Sequence, residues 1–241
     1  RHTRSCLVCG LGDVYKRQLH TLSIVDAVAC EDTRNTGHLL TRYGLSKNLI
    51  AAHQHNEREV ADKLISRLQA GERIALVSDA GTPAVSDPGA RIVDAVRTAG
   101  LRVIPLPGAS AAVTALSASG LLNDQFYFVG FLPAKAKQRE SVLSGLQAVA
   151  ATMVFYEAPH RITETVAALA AAFEPGRHIV FARELTKLFE ETHRCTLAEA
   201  VEWINADPNR QKGEFVVLLE GAPSAGDQDQ IEAERILGIL L

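Results

Sequence analysis

Ile74-Ala75-Leu76-Val77 runs directly into Ser78-Asp79-Ala80-Gly81-Thr82-Pro83-Ala84-Val85-Ser86-Asp87-Pro88-Gly89, and Ile92, Val93 and Val96 follow at helical spacing. A short apolar run of this kind reads as a strand buried on both faces, and the periodic stretch beyond the loop as an amphipathic helix. Two Asp, two Gly and two Pro stand in the twelve residues from Ser78 to Gly89. Small residues let the backbone come close to a ligand, and prolines fix its shape. Open α/β sheets bind ligands beyond the carboxyl ends of their strands, so this loop is the first candidate site. Asp79 or Asp87 would accept hydrogen bonds from a ribose or an amine. The plainer reading is a tight turn with Asp87 as helix N-cap and Pro88 in the first helical position; the capping role is expected of Asp87 in either case.

The same alternation extends in both directions. Ala27–Cys30 is a short strand candidate. Residues 57–70 place Val60, Ala61, Leu64, Ile65 and Leu68 on one helical face before Gly71. Val103-Ile104 with Leu106 reads as a further strand, and Ala111–Ser119 as a helix ended by Gly120. Beyond Leu122-Asn123-Asp124 a second set begins. Strands are expected at Phe126–Val129, Met153–Tyr156, Ile179–Phe181 and Phe215–Leu219, and helices at Gln138–Val149, Ile162–Phe173 and Leu197–Ile204. Such a pattern predicts an α/β protein of crossover units on a mostly parallel sheet. The boundaries expected are 1–122 for a first α/β domain, 123–222 for a second, and 223–241 for a linker and the start of an apolar helix.

The 241 residues correspond to ~1.6 domains of ordinary size. A hydrophobic fraction of 47% with 22% charged residues is that of a globular chain. No apolar run reaches the ~20 residues of a membrane helix. A net charge of −3 excludes binding nucleic acid by bulk positive charge, though not by a local basic patch. Cys6, Cys9, Cys30 and Cys195 are too few and scattered for a disulfide framework, and Cys6-x-x-Cys9 is half of a zinc site with no second half. Arg1–Gln18 lacks the apolar core of a secretion signal, so the cytoplasm is expected.

Pro105-Leu106-Pro107-Gly108-Ala109-Ser110-Ala111 is a second loop leading into a helix, whose first amides are free to meet a polar ligand; Ser110 capping that helix is the alternative. Gly10-Leu11-Gly12 opens like a dinucleotide fingerprint, but Tyr15 stands where the third Gly belongs. Polar clusters follow several strands: Glu31-Asp32-Thr33-Arg34, His53-Gln54-His55-Asn56-Glu57, Glu157-Ala158-Pro159-His160-Arg161 and Arg183-Glu184-Leu185-Thr186-Lys187. Each alone reads as a solvated helix entry, with Asp32 or Thr33 capping one helix and Asn56 another; four at one kind of sheet edge favour a cleft. His53 and His55 lack a third ligand in reach, so no metal is expected.

Taken together, CEDTR (Cys30–Arg34), HQHNE (His53–Glu57), SDAGTPAVSDPG (Ser78–Gly89), PLPGASA (Pro105–Ala111), FVGFLPAK (Phe128–Lys135), FYEAPHR (Phe155–Arg161) and ARELTK (Ala182–Lys187) resemble the bacterial ribosomal small-subunit RNA (cytidine-2'-O)-methyltransferases, within the tetrapyrrole methylase superfamily. The likeness covers residues 19–222. It implies two α/β domains of the class III methyltransferase type, with S-adenosylmethionine in the cleft between them, and a homodimer acting on small-subunit (16S) ribosomal RNA or the 30S subunit. On that mapping Asp79, Ala80, Gly81, Thr82, Pro83, Pro107, Gly108, Ser110 and Ala111 surround the cofactor, and Tyr156 and Ala182 close it from the second domain. Two features depart from the family. Arg1–Gln18 keeps only Gly12-Asp13 of its Thr-Pro-Ile-Gly-Asn loop, and the small helical module at the family's C-terminus is cut at Leu241.

The reaction implied is displacement of the sulfonium methyl by a ribose 2'-oxygen, which needs alignment, exclusion of water and a base. Glu31, Asp32, His53, His55 and Lys187 are the base candidates, with Glu31 and Asp32 favoured; Lys187 would serve if burial lowered its pKa. Arg34 and Lys187 would meet phosphate or ribose, Lys135, Lys137 and Arg139 form a basic loop, and Arg161 and Arg183 add charge to the cleft. The competing readings are a tetrapyrrole methyltransferase of the same fold and a non-catalytic binding or assembly protein.

Overall fold

The structure, a computed structural model, describes residues 13–223. Its contacts divide it into two units, residues 1–110 and 111–241.

The first unit carries α1 (Asp13–Ile24), β1 (Ala27–Cys30), α2 (Thr33–Arg42), β2 (Asn48–Ala51), α3 (Glu57–Gln69), β3 (Ile74–Val77) and α4 (Ala90–Thr98). The strands form a parallel sheet in the order β2-β1-β3, with Cys30 opposite both Ala51 and Val77. Side chains alternate between the faces of a strand. Val28 and Cys30 therefore join Val25 and Leu40 on the α2 face, while Ala29 joins Val60, Ala61, Leu64, Ile92 and Val96 on the face covered by α3 and α4. The register brings the carboxyl ends of all three strands to one edge, so Glu31, His53 and Ser78 all leave the sheet there.

In the second unit are α5 (Ala111–Ser119), β4 (Phe126–Phe131), α6 (Ala136–Leu146), β5 (Thr152–Glu157), α7 (Ile162–Ala172), β6 (His178–Arg183), β7 (Glu191–Thr196), α8 (Leu197–Ala206), a short 3₁₀ turn at Pro208–Gln211, and β8 (Phe215–Leu219). The sheet order is β4-β5-β8-β6-β7; β4 and β5 are parallel, and β8 runs antiparallel to both β5 and β6. Alternation again sorts the core. Met153, Phe155, Ile179, Phe181, Phe215, Val217 and Leu219 face α6, α7 and α8. Val154, Val180, Ala182, Val216 and Leu218 face Ala112 and Ala115 of α5.

Several expectations change. The second sheet is mixed rather than mostly parallel, because β8 and β7 enter antiparallel. Strand β7 reads Glu-Thr-His-Arg-Cys-Thr, too polar to be recognised; such charge suits an edge strand, which must not recruit a partner. Val103-Ile104 forms no strand: Pro105 and Pro107 donate no amide to a ladder, and Ile104 lies 61% exposed. Helix α5, expected before a boundary near residue 122, packs on β8 and β7 and groups with the second unit. Asp13–Ile24 is a helix, and the apolar 231–241 segment, Cys6, Cys9 and Gly10-Leu11-Gly12 lie outside the described residues. Among the described residues no helix is long and apolar enough to cross a membrane.

Candidate functional site

The carboxyl edge of the first sheet gathers most of the expected residues. Asp32 caps α2 as predicted, its Oδ1 accepting from the Arg34 amide at 2.8 Å. The same carboxylate takes Arg34 Nη2 at 2.6 Å, and these bonds hold its pKa down to about 2. A carboxylate held so low accepts a proton less readily than an ordinary one, which weighs against Asp32 among the base candidates. Arg34 is exposed but already spends its guanidinium on Asp32.

Asp79, on the first loop, accepts from Asn35 Nδ2 at 2.7 Å and from the Asp32 amide at 3.3 Å. It thereby ties its loop to the start of α2, and a carboxylate still has capacity for a further donor. Ser78 Oγ donates to the Ala80 carbonyl at 2.8 Å. Gly81 has φ +65°, and Ala84 and Ser86 sit at +70° and +61°, a left-handed conformation costly for side chains with a Cβ. Strain of this kind concentrates in loops whose shape matters.

The two loops expected to bind a ligand lie side by side. Thr82 Oγ1 donates to the Ala109 carbonyl at 2.9 Å, and Gln18 Nε2 to the Pro107 carbonyl at 2.8 Å. A Cβ on Gly108 would stand 3.4 Å from Gln18 Nε2 and 3.6 Å from Thr82 Oγ1, in ordinary contact with both, so Gly108 lies at this junction. Asp79, Ala80, Gly81, Pro107 and Gly108 are exposed, and Thr82, Pro83 and Ser110 half-buried. The surface is main chain and small side chains, with an acidic flank.

That flank contains Asp87, offered by the sequence both as a ligand contact and as the cap of α4. Asp87 does not cap α4; Gly89 holds the cap position, at φ +129°. The Asp87 carboxyl instead turns toward Gly81, its Oδ2 3.5 Å from where a Gly81 Cβ would be. Burial first, then the neighbouring Glu31 charge, with Asp79 adding a little, push its pKa above the usual carboxylate range, against a Ser78 hydrogen bond. Of its two expected roles only the cap fails, because Gly89 rather than Asp87 precedes the first helical residue. Glu31 is half-buried and accepts no hydrogen bond among the described residues.

His53 and His55 are both exposed, their rings 6.1 Å apart. Asn56 occupies the cap position of α3 without capping it; its side chain takes the His53 amide at 2.8 Å and donates to the Ala51 carbonyl at 3.0 Å. Among the described residues no three His, Cys, Asp or Glu side chains are grouped to hold a metal. Burial raises the Cys30 and Cys195 thiols, Cys195 to about 11, so neither offers a thiolate near neutrality.

In the second unit, the carboxyl ends of β4, β5 and β6 share an edge, but its polar residues are largely committed to the fold. Lys187 Nζ donates to Glu184 at 2.8 Å and Glu214 at 2.9 Å, and these partners raise its pKa. Both bonds favour the ammonium over the free amine that a base requires. Arg183 bonds Glu191 at 2.8 Å and the Asn209 carbonyl at 2.8 Å. Arg161 donates to the Leu132 carbonyl and pairs with buried Glu157. Arg139, expected in an exposed basic loop, is buried beside Glu164 and the Ala134 carbonyl; Lys135 and Lys137 are exposed. Tyr156 sits edge-on between Phe128 and Phe131, and its hydroxyl accepts from the Ala112 amide at 3.2 Å, serving the first turn of α5. Ala182 is fully buried beneath α5 and presents no surface to a ligand, and Ala111 begins that helix.

Residues 10–201 match the family described as Tetrapyrrole (Corrin/Porphyrin) Methylases. The chain is 45% identical over 230 residues to Ribosomal RNA small subunit methyltransferase I of Escherichia coli O157:H7, spanning 95% of this chain and 80% of that protein. It is 49% identical over 231 residues to the protein of the same name from Vibrio cholerae serotype O1, with 95% and 80% covered. Among solved structures it resembles the methyltransferase CobJ, with a TM-score of 0.62 at 22% identity and 86% and 87% of the two chains covered. It also resembles a Thermus thermophilus uroporphyrin-III C-methyl transferase complexed with S-adenyl homocysteine, at a TM-score of 0.55, 17% identity, and 85% and 90% covered. At those identities the structural likeness is one of fold.

Proposed function

Because this chain belongs to the Tetrapyrrole (Corrin/Porphyrin) Methylases and groups with the ribosomal RNA small subunit methyltransferase I proteins, we propose that it methylates a cytidine ribose 2'-oxygen of small-subunit ribosomal RNA, using S-adenosylmethionine. The reading carries with it a homodimer and a cytoplasmic setting. The observation that supports it most is the junction of the two loops at the carboxyl edge of the first sheet, beside Glu31 and Asp87.

The residues present fit the cofactor. A nucleoside with an amino-acid tail needs main-chain donors and acceptors on an open surface, which the glycine and alanine positions of both loops offer. A positively charged sulfur suits an acidic flank, and Asp79, Asp87 and Glu31 provide one. Asp79, Gly81, Thr82, Pro107 and Gly108 would hold the molecule. When bound, S-adenosylmethionine supplies an activated methyl group and its own leaving group.

The chain's own contribution is then alignment and a proton acceptor. Glu31 and Asp87 adjoin in a partly buried site, and a carboxyl raised by burial and a like charge is better matched to a weakly acidic hydroxyl than one held near 2. On this reading the pair would take the proton of the 2'-hydroxyl while the two loops hold the methyl donor in line with its oxygen. Glu31→Gln and Asp87→Asn should each lower turnover by ~10²–10⁴ while calorimetric affinity for S-adenosylmethionine stays near normal. Losses below ~10-fold in both variants would exclude the pair as the base. A wild-type chain that methylates a porphyrinoid and not small-subunit RNA would establish the small-molecule reading instead.

A further inference from the structure

A protein of net charge −3 that grips RNA must concentrate unpaired cations locally. The arginines first expected to do so do not: Arg139, Arg161 and Arg183 are held by internal carboxylates and carbonyls, and Lys187 is locked between two glutamates. The first unit holds cations of another kind. Two adjoining hollows of about 230 and 320 Å³ share Gln54, His55, Glu57 and Arg91, and Arg58 lines the former. Arg58 and Arg91 are exposed, and neither guanidinium has an ion pair among the described residues.

The acids in the lining are already used. Glu57 is buried, its Oε2 accepting from the Arg91 amide at 3.1 Å, and Glu59 pairs with Lys63 at 2.6 Å. Glu57 occupies the amide of Arg91, the second residue of α4, so that amide is not offered to an anion and the side chains are the donors in view. Two guanidiniums, a carboxamide and an imidazole converge on the space, a donor-rich set that suits phosphate oxygens. The location is also apt. His55 follows β2, whose last residue pairs with Cys30, so the hollow opens on the same sheet edge that Glu31 leaves.

We propose that the hollow lined by Gln54, His55, Arg58 and Arg91 binds a backbone phosphate of the RNA substrate and so positions the strand at the edge carrying Glu31. The proposal rests on the RNA reading above. Its test is the affinity of the full chain for a small-subunit ribosomal RNA transcript, measured across a salt series. The wild type is compared with a double Arg58→Gln, Arg91→Gln variant and with a double Arg58→Lys, Arg91→Lys variant. The Gln pair should reduce the slope of log K against log[salt] by about 0.7–0.9, the counterions of one phosphate, and the Lys pair should retain it. Calorimetric affinity for S-adenosylmethionine should be the same in all three. An unchanged slope in the Gln pair, or an equal loss of affinity for S-adenosylmethionine, overturns the phosphate site alone. A wild type without affinity for the transcript overturns the RNA reading and the site together.

Discussion

Replacing Arg161 by Ala asks whether this cation serves the fold or the substrate. Its partner Glu157 is 2% exposed. Glu157 Oε2 takes the Thr165 hydroxyl at 2.6 Å and Oε1 the Ala158 amide at 2.9 Å. Arg161 Nε, 3.3 Å from Oε1, is its one ion-pair partner among the described residues, close enough to pair but misaligned for a hydrogen bond. Arg161 Nη2 also donates to the Leu132 carbonyl, joining the end of β4 to the start of α7. Removing one member of a buried pair costs roughly 3–5 kcal/mol, because the other charge stays behind. Two hydrogen bonds to Glu157 survive and the lost contact is not ideal, so we expect the lower end, about 3 kcal/mol. For a chain of this size that lowers the melting temperature by about 6–12 °C. Glu157→Gln in the same background removes the stranded charge and should recover about 1–2 kcal/mol, a coupling within the range seen for contacting pairs. Urea unfolding of the four proteins of the cycle reads these numbers, and RNA affinity is measured alongside. A loss below ~1 kcal/mol accompanied by weaker RNA binding would refute the structural role and return Arg161 to the substrate.

Tyr156→Phe strips the acceptor from the Ala112 amide in the first turn of α5 and should cost about 1–3 kcal/mol in urea unfolding. Gly89→Ala forces a Cβ to 2.9 Å from Leu76 Cδ2 at φ +129°, for an expected loss of about 1–3 kcal/mol in the same assay. The Asp32 carboxyl is depressed in the fold from its ordinary 3.8 to about 2, so the stability it contributes is complete above the unfolded value and lost as pH falls through about 2. Asp32→Asn should therefore flatten the acid limb of stability between about pH 4 and 2, read by thermal melts; an unaltered limb would contradict the assignment.

The fold was legible wherever apolar alternation and strand length agreed. Met153–Tyr156, Ile179–Phe181 and Phe215–Leu219 each divide cleanly between two faces of one sheet, and α5 spans the expected Ala111–Ser119. Partnering across the sheet was not legible, because β8 looks the same from sequence whether it runs with its neighbours or against them. At the site, the Ser78–Gly89 loop declared itself through its glycines and prolines. The roles of its two carboxylates were less so: Asp87 stands where a cap belongs, and the structure instead puts Gly89 at the cap and the Asp87 carboxyl beside Gly81, within reach of the Glu31 charge. Charge on its own misled most. Arg139 and Arg161 look like RNA contacts in sequence, but Arg139 pairs with Glu164 of the next helix and Arg161 with Glu157 of its own cluster.

The most direct measurement is to incubate the chain with methyl-labelled S-adenosylmethionine and small ribosomal subunits, digest the RNA to nucleosides and identify the labelled product by mass spectrometry. The account predicts one labelled species, cytidine carrying the methyl group on its ribose 2'-oxygen, abolished when Glu31 and Asp87 are both replaced. Label on a base, or on a porphyrinoid offered in place of RNA, would contradict it.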